Sequence, residues 1–358
     1  MGPLAAARAL GAAARKLGHR PELMPIADGG DGLIEAVRFG RGGKFRTRFV
    51  ENALGRRVRA RYLLLKDGTA VIEMAQASGL AALRGEKNRP LEASSFGTGQ
   101  LIGAALDDGA RTVVVGLGGS ACNDAGTAMA AALGIKFYDA SHRLLPPGAG
   151  ALRRLAAVDF SGLDPRILKT RILAFGDVRN PLLGPLGSAR VYGPQKGASP
   201  AQVAEMEKGL IRLCKVLGNQ GLASIGRRPG GAAAGGVAAG LVAFLGADLK
   251  NGAAEVLAML DAGERVRSAD LVVTGEGRLD GQTAFGKAPA ALARLCRRYR
   301  KPLLFVCAQN ALSAKKAKAL GISRVVSFED LGGTEAQSRA CPAKWLMRAF
   351  LAQCEPKA

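Results

Sequence analysis

The sequence predicts an α/β protein in which parallel sheets carry ligand-binding loops. Two observations support this prediction. Short runs rich in Val, Ile and Leu alternate with helical patterns, as in residues 112–115 and 125–133. Glycine-rich turns follow several of these runs, and 49 of the 358 residues are glycine. Alternating strands and helices are typical of parallel sheets, in which ligands gather at the carboxyl ends of the strands.

The amino-terminal part predicts helices, a short strand and a β-hairpin. Residues 4–17 form an Ala-rich helical pattern that stops at Gly18, and residues 23–26 are a strand candidate. The turn Asp28-Gly29-Gly30-Asp31-Gly32 then leads into a helix that ends near Arg38. Residues 46–65 alternate as strands do, and Asp67-Gly68 marks a hairpin turn into a strand over 69–73.

The rest of the chain continues as alternating helices and strands. Helical patterns cover 98–106, 125–133, 201–217, 230–245, 313–320 and 344–353. Buried strands are predicted at 112–115, 171–175, 269–274, 303–307 and 324–327.

The composition excludes several functional classes. The formal net charge is +22, but the basic residues are scattered, and the sequence holds no basic tail and no aromatic-rich basic stripe. We therefore expect attraction of anionic substrates and no nucleic-acid partner. No charge-free apolar run of about 20 residues is present, so no membrane span is predicted. The six cysteines and two histidines lie far apart, which argues against a zinc site or a His-based triad. We expect a cytoplasmic protein with reduced thiols.

The most informative stretch is residues 113–129, VVVGLGGSACNDAGTAM. A buried strand leads into a turn that contains Gly118, Gly119, Ser120, Asn123 and Asp124. Glycines let the backbone approach a ligand closely, and the following helix points free N–H groups into the turn. The turn suits a phosphate or a carboxylate. Close packing without a ligand is the alternative interpretation.

Further candidates lie in other loops. Asp28, Gly29, Gly30 and Asp31 share one turn, where the two carboxylates could bind a metal or orient a hydroxyl. The alternative is helix capping, which is the role expected for Asp31. Asp177 ends a predicted strand as a ligand or an ordinary turn former, and Lys196 lies between glycines as a phosphate contact or an exposed charge. The stretch 274–289, TGEGRLDGQTAFGKAP, holds the densest set of polar residues: Glu276, Arg278, Asp280, Gln282, Thr283 and Lys287. Cations, N–H groups and carboxylates are the parts that phosphoryl transfer requires.

Eight ordered segments together resemble the type I glycerate kinases, the bacterial glycerate 2-kinase family. They are ADGGDG, VIEMAQASGL, SFGTGQLI, GLGGSACNDAG, DVRNPLLG, YGPQKGA, GGAAAGGVAAGL and TGEGRLDGQTAFGKAP. The resemblance implies ATP- and Mg²⁺-dependent phosphorylation of D-glycerate, with 2-phosphoglycerate the favoured product, and leaves open whether the protein is a homo-oligomer. It also implies a Rossmann-like domain made from both chain ends, residues 1–75 and 286–358, and an inserted α/β domain over 76–285. The active site is expected in the cleft between them.

Under this hypothesis a glycerate hydroxyl attacks the γ-phosphate of Mg·ATP. The turn of residues 118–124 and Lys196 hold anionic groups, and Asp177 or Asp280 holds Mg²⁺ or acts as the base. Arg278 and Lys287 neutralise the transferring charge. The remaining candidates for binding substrate or nucleotide are Asp28, Gly29, Gly30, Glu276, Gln282 and Thr283.

The sequence departs from the family pattern at three places. Members typically begin with a strand and a DSFKG-like loop, and this sequence begins after that motif. Cys122 and Ala125 lie where Thr and Gly are usual, and residues 307–310, CAQN, replace a segment resembling AGS. The alternative hypothesis is therefore a relative that binds glycerate or nucleotide without turnover.

Overall fold

The computed structural model describes residues 1–83, 85–281 and 288–354. Its helices are α1 (Pro3–Lys16), α2 (Leu33–Arg41), α3 (Ala75–Ser78), α4 (Phe96–Asp107), α5 (Thr127–Ala132), α6 (Ser188–Tyr192), α7 (Pro200–Gly218), α8 (Val237–Leu245), α9 (Gly252–Met259), α10 (Ala262–Ser268), α11 (Ala288–Arg298), α12 (Ala314–Leu320), α13 (Glu335–Ala340) and α14 (Pro342–Cys354). Its strands are β1 (Lys44–Glu51), β2 (Arg57–Leu64), β3 (Thr69–Glu73), β4 (Thr112–Gly116), β5 (Lys136–Asp139), β6 (Leu155–Asp159), β7 (Arg171–Gly176), β8 (Asp248–Asn251), β9 (Val272–Leu279), β10 (Leu303–Asn310) and β11 (Arg324–Ser327).

The chain divides into two compact units. The first unit consists of Met1–Asp28, Glu35–Arg41 and Ala253–Ala358, and the second consists of Gly29–Ile34 and Gly42–Gly252. These limits differ from the expected domain limits at three segments, of which the first is residues 29–34, in the second unit. Residues 42–75 lie in the second unit because β3 pairs with β4, and residues from 253 onward lie in the first because β9 pairs with β10.

The second unit is built on a mixed sheet with the strand order β1-β2-β3-β4-β7-β8. β1, β2 and β3 are antiparallel neighbours, and β3, β4, β7 and β8 are parallel. The predicted hairpin is confirmed: Gly68 takes the left-handed conformation, with φ +81°, and the Thr69 amide donates to the Asp67 carboxylate at 2.9 Å. The parallel strands end together at Glu73, Gly116, Gly176 and Asn251. This edge carries the loops that the sequence singles out.

The first unit has a parallel sheet with the strand order β11-β10-β9. Successive side chains of β10 enter different apolar clusters. Leu303, Phe305 and Cys307 pack in one cluster, and Leu304 and Val306 pack in another. Because side chains alternate across a strand, both faces of this sheet are covered. The predicted α/β class is therefore confirmed in both units.

Two predicted elements were wrong. Residues 23–26 form no strand, because Pro25 has no N–H to donate to a sheet, although Met24 and Ile26 still pack against a core cluster. The helix predicted over 230–245 begins only at Val237. Gly230, Gly235 and Gly236 have φ values of +82°, +70° and +87°, which no α-helix accommodates.

None of the described helices is both long enough and apolar enough to cross a membrane.

Candidate active site

Two glycine-rich turns meet in the second unit, after the end of β4. The Gly118 amide donates to the Gly29 carbonyl at 3.2 Å. A Cβ atom at Gly118 would lie 2.3 Å from the Cα atom of Gly30, and one at Gly116 would lie 2.5 Å from the carbonyl oxygen of Gly29. No side chain fits at either position, so the close approach requires glycine. The structure thus brings together two segments that the sequence predicts as separate candidates.

A third glycine-rich segment packs on the other side of the same turn. The Ala125 amide donates to the Gly235 carbonyl at 3.1 Å, and a Cβ atom at Gly235 would lie 2.0 Å from the carbonyl oxygen of Cys122. Ala125 itself has φ +49°, in the left-handed region that favours glycine. This is a position where the family resemblance implies glycine. The turn is held in a conformation that this alanine adopts under strain.

Lys196 is buried beneath this turn, with 4% of its surface exposed. Its ammonium group donates to the Ser120 hydroxyl at 2.9 Å and to the Cys122 carbonyl at 2.7 Å. Burial lowers the pKa of Lys196 to about 8, because removal from water disfavours the charged form. The interpretation of Lys196 as an exposed loop charge is therefore wrong.

Asp124 is also buried, and its carboxylate is used internally. It accepts hydrogen bonds from the Ser95 amide at 2.9 Å, the Ser95 hydroxyl at 2.8 Å and the Gly126 amide at 3.2 Å. Burial raises its pKa, against the lowering effect of these donors. Among the predicted site residues, Asp124 therefore positions the turn and the start of α5.

Two asparagines at the same turn have buried polar atoms without partners. Neither the side-chain oxygen nor the side-chain nitrogen of Asn123 has a hydrogen-bond partner among the described residues, and its exposed fraction is only 1%. The Asn88 side-chain nitrogen donates to the carbonyls of Ala121 and Lys196 at 3.1 and 2.9 Å, and its side-chain oxygen has no partner within the described ranges. Unpaired buried polar groups are rare, so each calls for an explanation.

Asp177 lies directly after β7, half-buried at the same edge of the sheet. Its negative charge adds to the effect of burial in raising the pKa of Tyr192. The Tyr192 hydroxyl donates to the side-chain oxygen of Asn180 at 3.1 Å. Asp177 therefore lies in a polar loop at the carboxyl end of a parallel strand, as expected.

The remaining predicted residues that the structure describes lie in the first unit. Glu276 and Arg278 are on β9, and Asp280 follows it. The Arg278 guanidinium is 3.8 Å from the Asp280 carboxylate, and both side chains are substantially exposed. Asp28 ends the first segment of this unit. The predicted residues Gln282, Thr283 and Lys287 lie outside the described residues.

No cluster of three or more His, Cys, Asp or Glu side chains suited to a metal ion exists in the described part of the chain. The predicted ligands Asp177 and Asp280 belong to different units. Each therefore offers a single carboxylate, and a Mg²⁺ ion held by one of them would take its other ligands from water and substrate phosphates, as this ion usually does.

Sequence reasoning missed three residues of this region. Glu73, at the end of β3, accepts from the Ile34 amide at 3.0 Å and so caps α2, the role that Asp31 was expected to fill. Ser95 holds Asp124, and Asn88 joins the 196 loop to the turn. Ser95 directly precedes a helical pattern, a common position for a capping residue, whereas no local signal marks Asn88.

The fold and the site define an α/β protein whose glycine turns suit a small anion. The comparisons agree with this class. The profile of the glycerate kinase family matches residues 1–353. Glycerate 2-kinase of Escherichia coli K12 is 43% identical over 312 residues, covering 87% of this chain and 82% of the relative. Glycerate kinase of Halalkalibacterium halodurans is 42% identical over 285 residues, covering 79% of this chain and 75% of the relative. The crystal structure of a Salmonella typhimurium LT2 protein assigned as glycerate kinase 2 superposes with a TM-score of 0.82 at 36% identity, covering 98% of this chain and 93% of that one.

The chain therefore belongs to the glycerate kinase family, and by that membership it is a kinase. The resemblance that the eight ordered segments indicate is confirmed.

Proposed function

We propose that the protein transfers the γ-phosphoryl group of ATP to the 2-hydroxyl of D-glycerate. Family membership supports glycerate as the acceptor, and the E. coli relative carries the name of a 2-kinase. Phosphoryl transfer depends mainly on positioning and on charge stabilisation, so the site needs N–H groups and cations around the phosphates more than a reactive nucleophile.

The observation that carries this proposal is the meeting of the two glycine turns over a buried lysine. Gly29 and Gly30 pack on Gly116 and Gly118 so closely that backbone is presented where side chains would otherwise lie. No ion pair to Lys196 is found within the described ranges, and its ammonium group bonds only neutral oxygens there. Among the described residues no carboxylate bonds the ammonium group directly, although the charge of the buried Asp124 raises the pKa of Lys196 against the effect of burial, so the ammonium group can serve an anionic ligand.

In the proposed reaction the 2-hydroxyl oxygen of glycerate attacks the γ-phosphorus atom. The bond from that phosphorus to the β,γ-bridging oxygen breaks, and ADP leaves. The hydroxyl proton passes to Asp177 or Asp280. The turn of residues 118–124 and Lys196 hold anionic groups, while Arg278 and Lys287 neutralise the transferring charge.

Mg²⁺ fits the carboxylate of Asp177 or that of Asp280, because carboxylate oxygens are the ligands that this ion prefers. Both side chains are partly exposed, which leaves room for water and phosphate oxygens as further ligands. When bound, the ion would neutralise charge on the phosphates.

The proposal is tested by incubating the protein with D-glycerate, ATP and Mg²⁺ and following the products by ³¹P NMR. We expect 2-phosphoglycerate and ADP in equal amounts, with neither formed from L-glycerate nor after Mg²⁺ is chelated. Formation of 3-phosphoglycerate would contradict the assignment of the hydroxyl. If calorimetry shows binding of glycerate or ATP while no phosphoglycerate forms, the protein is instead the relative that binds without turnover.

A further inference from the structure

The unpaired polar atoms of the described residues concentrate at one place. Five buried side-chain polar atoms lack a hydrogen-bond partner within the described ranges, and three of them belong to Asn88 and Asn123. Both asparagines flank the Ala121–Cys122 segment: Asn88 donates to the Ala121 carbonyl, and Asn123 follows Cys122. Leaving such atoms unpaired is unfavourable, so their concentration beside the candidate anion site indicates a ligand.

The orientation of the Asn88 amide is fixed by its partners. Its nitrogen faces two carbonyl oxygens, those of Ala121 and Lys196, at 3.1 and 2.9 Å. Rotating the amide by 180° would place oxygen against both carbonyls, which is repulsive. The atom left unpaired is therefore an acceptor, and its partner must be a donor. A phosphate or a carboxylate at neutral pH offers only acceptors, whereas a hydroxyl offers a donor.

Asn123 and Lys196 complete the chemical description of the ligand. Asn123 has both an unpaired acceptor and an unpaired donor among the described residues, which together match a hydroxyl, since a hydroxyl both donates and accepts. The Lys196 ammonium has three hydrogens and two partners among the described residues, Ser120 and Cys122. A third hydrogen remains for an anion. The set therefore matches a small molecule with both a hydroxyl and a carboxylate.

We propose that Asn88 and Asn123 determine the acceptor specificity of this site by binding the glycerate hydroxyl that is not phosphorylated. Lys196 binds the glycerate carboxylate. The inference rests on the proposed function, which names glycerate as the acceptor, and it assigns the polyphosphate of ATP to other residues. An adenine amino group is the competing donor for the Asn88 oxygen. It does not account for the buried ammonium group of Lys196, which bonds Ser120 and Cys122 of the same turn.

The test compares two ligands that differ by a single hydroxyl. D-lactate keeps the carboxylate and the 2-hydroxyl of D-glycerate and lacks the 3-hydroxyl. In calorimetry without nucleotide, we expect the wild-type protein to prefer D-glycerate by about tenfold or more, since a buried polar group left unpaired is penalised strongly. In Asn123→Ala the preference falls to within about threefold. The exposed Asn219→Ala is the matched control and keeps the wild-type preference.

Steady-state kinetics and unfolding complete the test. Asn123→Ala raises KM for glycerate and leaves KM for ATP unchanged. Its melting temperature equals or exceeds that of the wild type, because the side chain has no hydrogen bond to lose within the described structure. Asn88→Ala loses two hydrogen bonds and is expected to be less stable, so Asn123 carries the test.

Failure of this inference is distinguishable from failure of the proposed function. An unchanged preference in Asn123→Ala, a changed KM for ATP alone, or a large drop in melting temperature would overturn the inference while phosphoglycerate still forms. Conversely, a lost preference in a protein that forms no phosphoglycerate would support the subsite and contradict the reaction.

Discussion

The ammonium group of Lys196 lies 2.9 Å from the hydroxyl oxygen of Ser120, although 76 residues separate the two along the chain. The contact joins the loop after α6 to the glycine turn after β4. The ammonium group is buried and, among the described residues, hydrogen-bonds only neutral oxygens, so the site already contains the positive charge that an anionic ligand would need.

Replacing this lysine by methionine should separate activity from stability. Lys196→Met keeps most of the apolar stem, loses two hydrogen bonds and removes a desolvated charge, so these effects on the free energy of unfolding largely offset. We expect kcat/KM for glycerate to fall by about 100-fold or more, on the scale of losing one charged stabilising group. Chemical denaturation and initial rates measure the two effects. Lys208→Met, at an exposed position on α7, is the control, and an equal loss of activity there would contradict the assignment.

The pH dependence of stability follows from the same residue. The pKa of Lys196 is about 8 in the folded protein, below the ordinary lysine pKa of 10.5 that holds in the unfolded chain, so between these pH values the unfolded chain binds the proton more tightly. Stability contributed by this residue therefore rises as the pH increases from about 8 towards 10.5 and is flat below 8. We expect the free energy of unfolding of the wild type, relative to Lys196→Met, to rise by at most about 3 kcal/mol over this range. Urea titrations at several pH values check this, and a difference that falls with pH would contradict it.

The close approach of the two glycine turns predicts the effect of adding one methyl group. Gly118→Ala places a Cβ atom 2.3 Å from the Cα atom of Gly30, so one of the two backbones must move. We expect a loss of about 1–3 kcal/mol of stability and a larger proportional loss of activity. Gly103→Ala, inside α4, meets only the Leu133 side chain at 3.8 Å and should be neutral or slightly stabilising. Melting curves measure the stability of the two variants, and initial rates measure their activity. Equal behaviour of the pair would show that the approach is not as tight as described.

Replacing Ala125 by glycine is predicted to stabilise the protein, whereas Gly118→Ala is predicted to destabilise it. Its φ of +49° is strained for alanine, so Ala125→Gly relieves strain at the turn and should raise the free energy of unfolding by about 1 kcal/mol. Ala131→Gly, in the exposed part of α5, should lower it by about 0.5–1 kcal/mol, because glycine weakens a helix interior. Equilibrium denaturation of both variants provides the measurement. A destabilised Ala125→Gly would mean that the methyl group packs usefully despite the strain.

Local sequence signals predicted most of the secondary structure and the positions of the glycine turns. The Asp67-Gly68 hairpin and the strand into Gly116 depend on short-range chemistry, which sequence displays directly. Pairings between distant residues left no such signal. Three such interactions depend on tertiary contacts: Ser95 donates to Asp124, Glu73 caps α2, and Asn88 donates to the carbonyl of Lys196. Burial excludes one of the two interpretations of Lys196, the exposed loop charge, for the same reason: its loop is covered only after folding.

The most direct measurement of the central claim is a crystal structure of the protein with D-glycerate and a non-hydrolysable ATP analogue. The glycine turn over Lys196 should hold the glycerate, with its carboxylate near the ammonium group of Lys196 and a hydroxyl hydrogen-bonded to Asn123. Glycerate bound away from residues 116–124, with the Asn123 amide paired to protein atoms instead, would contradict the account.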